Sequence, residues 1–228
     1  MGPIMGGLPL FKYTATNAVV AASGTSLVAM IDPWLINPIP PINSQFTVSN
    51  FGVNGQGIGG ARGGAATKED TVFNPAKKNI ILFWGAINSL VLEGLTGQQA
   101  FDQVALYVQE RLAIHPEWKI ILTTETPAYG SNGAVPLQST VNANNARIDD
   151  YNVLLRNKYR ETGAVGLADM RYPGSPFNLP DYTYASFTAI DPLWDAGLAN
   201  YRVHFSQLGY SSILMPQWSA ALRRIRLR

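Results

Sequence analysis

"KNIILFWGAINSL" (residues 78–90) carries five consecutive apolar residues, Ile80 to Trp84, followed by Gly85, Ala86 and, after Ile87, the amide of Asn88. A strand with one wet face alternates polar and apolar side chains. A short run without alternation is what a strand covered on both faces requires. Four other stretches read as strands: "NAVVAA" (17–22), "QFTVSNF" (45–51), "KIILTTE" (119–125) and "AVGLAD" (164–169). Helical patterns separate the later ones. Phe101, Val104, Ala105, Val108 and Leu112 recur at helical spacing, as do Ile148, Tyr151, Leu154 and Leu155, and "QLGYSSILMPQWSAALRRI" closes the chain. Pro216 is expected to kink or delay that last helix. Alternating strands and helices predict an α/β fold, a three-layer α/β/α arrangement around a mainly parallel five-stranded sheet. No internal repeat or linker divides the chain, so one domain, 1–228, is expected, with "INPIPPINS" (36–44) as a surface loop within it.

Composition narrows the setting. The chain has 228 residues, 46% of them hydrophobic, enough for a full core. A formal net charge of +2 is too small to argue for nucleic acid or an acidic surface. Only 14% of residues are charged, against about 25% in typical soluble domains, so Asn, Gly, Ser and Thr carry the polar role. Such a surface suits a protein working outside a cell or on a particle. With no cysteine, neither a disulfide framework nor a thiolate metal site is available. No apolar run approaches the ~18 residues of a membrane span. The opening "MGPIMGGLPLF" lacks the basic and long apolar regions of a signal peptide.

Ligands in open α/β sheets bind beyond the carboxyl ends of the strands. Those ends read Ser23-Gly24-Thr25-Ser26, Asn50-Phe51-Gly52-Val53-Asn54-Gly55, Gly85-Ala86-Ile87-Asn88-Ser89 and Thr123-Thr124-Glu125-Thr126. A serine there can be a nucleophile, and glycine N–H groups and amides can meet a developing oxyanion.

In sequence these ends resemble the blocks of the SGNH (GDSL) hydrolases. "GTSL" is similar to their Gly-Asp-Ser-Leu block, with Ser26 at the nucleophile. "NFGVNGQ" resembles the second block, with Gly55 at the oxyanion glycine, and "WGAINSL" the third, with Asn88 at the amide donor. "YRVHFSQLGY" resembles the Asp-x-x-His block, with His204 at the base and the following Gly-Tyr also present. The ordered set spans almost the whole chain. It implies a flavodoxin-like SGNH fold, a serine esterase acting through Ser26 and His204, and an oxyanion hole formed by the Ser26 and Gly55 N–H groups and the Asn88 amide. Short-chain carboxylic esters, including acetyl groups on carbohydrate, are the implied substrates, with no metal or organic cofactor. The chain departs from the blocks at Thr25, Ala86, Ser89 and Tyr201, which stand where the family has Asp, Gly, Asp and Asp.

The loss at Tyr201 leaves open what orients His204. A backbone carbonyl, making a Ser–His dyad, is the favoured answer, with Asp191 or Asp195 folding back as alternatives. The missing acid also keeps a second function in view: an SGNH-fold binding or structural module of a secreted or viral particle, with weakened or lost catalysis. Ser26 could alternatively serve only as a helix cap; as a nucleophile it would gain from the dipole of the following helix. His115, ahead of the strand that begins at Lys119, belongs at the opposite edge as a helix C-terminal residue. Gly55, Gly57 and Gly60 of "GQGIGG" match a dinucleotide-binding spacing, but "ARGGAATKED" is a poor helix and the next strand ends without an acid. The basic "RRIRLR" reads as a helix C-terminus.

Overall fold

A computed structural model describes residues 18–31, 46–130, 136–195 and 203–225. Its sheet has five strands: β1 (Ala18–Gly24), β2 (Phe46–Gly52), β3 (Lys78–Trp84), β4 (Lys119–Thr123) and β5 (Gly166–Ala168). Their order is β2-β1-β3-β4-β5 and every pairing is parallel. β3 has the boundaries its apolar run predicts, and Asn79 through Trp84 are buried. β5 occupies only the centre of its predicted stretch, and β4 stops at Thr123. The Pro-rich stretch 36–44 and Tyr201 lie outside the described residues.

Eight helices accompany the sheet among the described residues: α1 (Ser26–Ala29), α2 (Ile58–Gly64), α3 (Ile87–Val91), α4 (Gly97–Ile114), α5 (Gln138–Lys158), α6 (Tyr184–Thr188), α7 (Gln207–Gly209) and α8 (Met215–Arg224). Right-handed crossovers send α2, α4 and α5 to one face, where α4 packs against both of the others. α1 packs on β2 and α8 on β5, covering the opposite face. α4 starts at a capping box in which the Thr96 hydroxyl accepts the Gln99 N–H and the Gln99 side chain accepts the Thr96 N–H. Pro216 does not break the last helical run. A π turn, Tyr210–Leu214, precedes it, and the proline falls in the first turn of α8, directly after that distortion. "GQGIGG" leads into α2, only seven residues long and followed by 3₁₀ turns, not the long helix a dinucleotide site needs. No helix of the described residues is long and apolar enough to cross a membrane.

This strand order decides where a site can form. The chain leaves β1 for β2 on one side, then crosses back to β3 on the other. At that switch point neighbouring strand-to-helix turns diverge and open a crevice at the carboxyl edge. Ser26 follows β1 and Asn88 follows β3, so both flank the crevice.

The β1 end is drawn very close to β3. A Cβ placed on Gly24, whose φ is +153°, would lie 1.8 Å from the Trp84 carbonyl oxygen, and the Thr25 N–H donates to that same oxygen at 3.3 Å. Backbone atoms cannot step aside as a flexible side chain would. Gly24→Ala is therefore expected to destabilise the fold by about 3 kcal/mol or more in urea denaturation; a cost below about 1 kcal/mol would contradict the close approach.

Candidate active site

Four segments far apart in sequence meet at the crevice. The first is the turn after β1. Thr25, extended in its backbone, is the N-cap of α1, its hydroxyl accepting the Leu27 N–H at 3.3 Å. Capping is thus done by the residue that replaces the family aspartate, and Ser26 is left for another partner. Its Oγ lies 2.8 Å from His204 Nε2. Ser26 is 8% exposed, enough for its hydroxyl to reach the cleft. α1 is a single turn, so the dipole support expected for the nucleophile is small.

His204 arrives from the end of the chain. Residues 193–195 and 204–206 pair as a short antiparallel ladder, with Trp194 opposite Phe205. The Asp195 N–H donates to the His204 carbonyl at 3.0 Å and the Ser206 N–H to the Leu193 carbonyl at 2.9 Å. Side chains alternate across such a ladder. Trp194 and Phe205 are buried against Phe177, Phe205 stacked on it and Trp194 tilted, which turns Asp195 and His204 together to the other side. Burial lowers the imidazole below its ordinary 6.5, and Asp195 works against that shift. Asp191 begins an exposed 3₁₀ turn. Two further contacts seat the last helical run. The Tyr210 hydroxyl donates to the Leu27 carbonyl at 3.0 Å, directly behind Ser26, and the Trp218 indole donates to Thr123 Oγ1 at 3.0 Å.

The third segment follows β2. A tight turn, closed by the Gln56 N–H to the Val53 carbonyl at 3.2 Å, puts Gly55 at φ +73°, a conformation suited to glycine. Asn88, at the start of α3, donates its side-chain amide to the Gln56 carbonyl at 3.1 Å, tying this turn to the fourth segment. Ser89, where the family has an aspartate, is buried and accepts the Ile58 N–H at 2.9 Å, holding the start of α2. Ser26, Gly55, Asn88 and His204 all line one cleft of about 280 Å³, whose apolar wall is formed by Met30, Ile87, Val91 and Leu92. His115 is remote from it: it caps the C-terminus of α4, its ring stacked on Phe73 at 3.8 Å. Among the described residues, no group of three or more His, Asp or Glu gathers to hold a metal.

No family model matches the chain, and no curated protein matches it. Solved structures do. A member of the lipolytic G-D-S-L family from Veillonella parvula superposes with a TM-score of 0.61 at 15% identity, over 90% of this chain and 99% of that one. A putative acylhydrolase from Bacteroides fragilis gives 0.61 at 16%, over 91% and 88%. A GDSL-like lipase from Bacteroides thetaiotaomicron gives 0.60 at 14%, over 90% and 86%. The chain has the SGNH hydrolase fold. At such identities the likeness is one of backbone architecture, carried by the strand order and the turns that end β1, β2 and β3.

A buried carboxylate beside the start of α3 has no counterpart in the block motifs. Glu125, just past β4, is fully buried, and its Oε1 accepts the Ala86 N–H at 2.7 Å. Burial pushes this carboxyl from an ordinary 4.5 up to about 8, although the Ala86 and Ile87 N–H groups and the Trp84 indole favour the anion. The buried Tyr151 phenol faces it and is raised by its own burial and by Glu125. A lone acid ending an apolar strand, with no basic neighbour in sequence, was the signal available for it. Between those two values the folded chain holds a proton that the unfolded chain has lost, so ionisation opposes folding and stability falls as pH rises, by up to about 1.4 kcal/mol per unit. His204, lowered by burial, acts in the opposite sense. The comparison that isolates Glu125 is therefore between variants: from about pH 5.5 to 7.5 the wild-type chain should lose stability relative to Glu125→Gln in parallel thermal melts. Parallel profiles would contradict a protonated Glu125.

Proposed function

We propose that the chain is a serine ester hydrolase in which Ser26 is the nucleophile and His204 its base. The observation that carries this is the 2.8 Å contact between Ser26 Oγ and His204 Nε2 at the mouth of the crevice. In the reaction, His204 Nε2 takes the Ser26 proton as Oγ attacks the ester carbonyl. The backbone N–H groups of Ser26 and Gly55 and the Asn88 amide meet the oxyanion of the tetrahedral intermediate. His204 then hands its proton to the leaving alcohol; a water deprotonated by the same nitrogen attacks the acyl carbonyl, and that proton returns to Ser26 Oγ as the carboxylic acid leaves. The cleft is small beside the ~300–1,000 Å³ of drug-sized sites and has an apolar wall, which supports a short acyl group. The names of the similar structures, lipolytic and acylhydrolase, agree with this class; acetyl groups on carbohydrate are the substrates the sequence resemblance favours.

For the orienting group, the cross-strand position opposite His204 and the pull on its imidazole favour Asp195 over Asp191 and over a neutral carbonyl alone. An acid there stabilises the imidazolium formed during attack. The particle-module alternative draws its support from the residue at Tyr201, where the family block carries its acid.

The test is turnover of p-nitrophenyl acetate. Wild-type hydrolysis should vanish in Ser26→Ala and His204→Ala with unchanged circular dichroism, and Asn88→Ala should lower kcat by about 10²–10³ with KM little changed. Asp195→Asn should lower kcat by about tenfold or more and move the acid limb of kcat/KM to lower pH, since it removes the group that raises the imidazole, while Asp191→Asn stays within about threefold. No Ser26-dependent turnover on any short-chain ester would leave the non-catalytic module as the function of this fold.

A further inference from the structure

The segment that follows β4, residues 124–130, leads to the cleft, which Gly130 lines, without joining a strand, yet its peptides at Glu125 and Ala128 are paired. Two buried asparagines of α5, one two helical turns after the other, hold it. Asn152 accepts the Glu125 N–H at 2.8 Å and donates to the Glu125 carbonyl at 2.8 Å. Asn145 accepts the Ala128 N–H at 3.0 Å and donates to the Ala128 carbonyl at 2.7 Å. Each side-chain amide imitates a neighbouring strand's peptide, satisfying donor and acceptor together. The Glu125 backbone is thus held on both its donor and its acceptor by α5. From that anchor its carboxyl reaches across to the turn between β3 and α3 and accepts the Ala86 N–H at 2.7 Å, two residues before Asn88. Ala86 is the N-cap of α3 and its own side chain offers no cap; its N–H, which the third helical residue would satisfy in a capping box, finds its acceptor in Glu125, since Ser89 at that place accepts the Ile58 N–H instead.

We propose that Glu125 is a positioning residue of the oxyanion hole: by accepting the N-cap N–H of α3 from just beyond the end of β4, it fixes the start of that helix and so aims the Asn88 amide into the cleft. This rests on the ester-hydrolase assignment and deepens it. Two supports act on Asn88 from opposite sides, the Gln56 carbonyl on its side chain and Glu125 on its helix. Without the second, α3 keeps its hydrophobic seat, since Ile87 and Leu90 are buried, but its first turn loses the bond that sets its angle. A donor that must sit about 3 Å from a transient oxyanion is sensitive to such a tilt.

A double-mutant cycle on p-nitrophenyl acetate hydrolysis separates positioning from general support. Glu125→Ala should lower kcat by about tenfold or more with KM within about twofold. In an Asn88→Ala background the same change should cost less than about twofold, because the group it positions is gone. Glu125→Gln keeps an acceptor oxygen and should recover most of the loss. Amide hydrogen exchange at Ala86 and Ile87 should quicken in Glu125→Ala and return toward wild type in Glu125→Gln. Equal losses with and without Asn88, or unchanged kcat in Glu125→Ala, would overturn the inference while leaving the esterase assignment standing. Absence of Ser26-dependent turnover in the wild-type chain would overturn both.

Discussion

The hydrogen bond between Ser26 and His204 joins residues 178 positions apart, and most of the architecture is needed to make it. Ser26 is placed by the end of β1, pressed against β3 so closely that only glycine fits at position 24. His204 is placed by the antiparallel bridge between Trp194 and Phe205 with its two flanking backbone hydrogen bonds, by the aromatic cluster of Trp194, Phe205 and Phe177 beneath it, and by Tyr210 reaching back to the Leu27 carbonyl. None of these contacts is strong alone, each contributing about 1 kcal/mol. Together they fix two side chains from opposite ends of the chain within hydrogen-bond reach, and effective catalysis depends on that geometry.

The substitutions at the block positions follow a consistent logic. Thr25 caps α1, so the serine beside it is free to face histidine. Ser89 caps α2 in place of an aspartate. Ala86 has no capping side chain, and Glu125, just past β4, accepts its N–H. Each helix start around the crevice thus retains an acceptor, although the residue supplying it has changed. Asp195 lies across the bridge from His204, the position from which the proposed orienting carboxylate would act.

What the sequence made legible is what has a period or a motif. Unalternating apolar runs marked all five strands, and β3 to the residue; the seams of α4 and α5 followed from three- and four-residue spacing. Ser26, Gly55, Asn88 and His204 were found by order along the chain, and they line one cleft. Hydrophobic periodicity was blind to Asn145 and Asn152, which lie on the buried seam of α5 with Val141, Ile148 and Leu155. A count of apolar residues skips them, yet their burial is as complete because each amide pairs with a backbone peptide. Glu125 was hidden for the same reason. The pairing of 193–195 with 204–206 has no sequence signal either, being a single bridge between loops, which is why Asp191 and Asp195 could not be told apart beforehand.

The most direct test of the Ser26–His204 assignment needs no substrate identity. A fluorophosphonate reacts with a serine only where a base and an oxyanion hole activate it. Peptide mapping by mass spectrometry after brief exposure should find the adduct on Ser26 and on no other serine, with the labelling rate reduced by about a hundredfold or more in His204→Ala. A label on another residue, or a Ser26 rate indifferent to the loss of His204, would contradict the account.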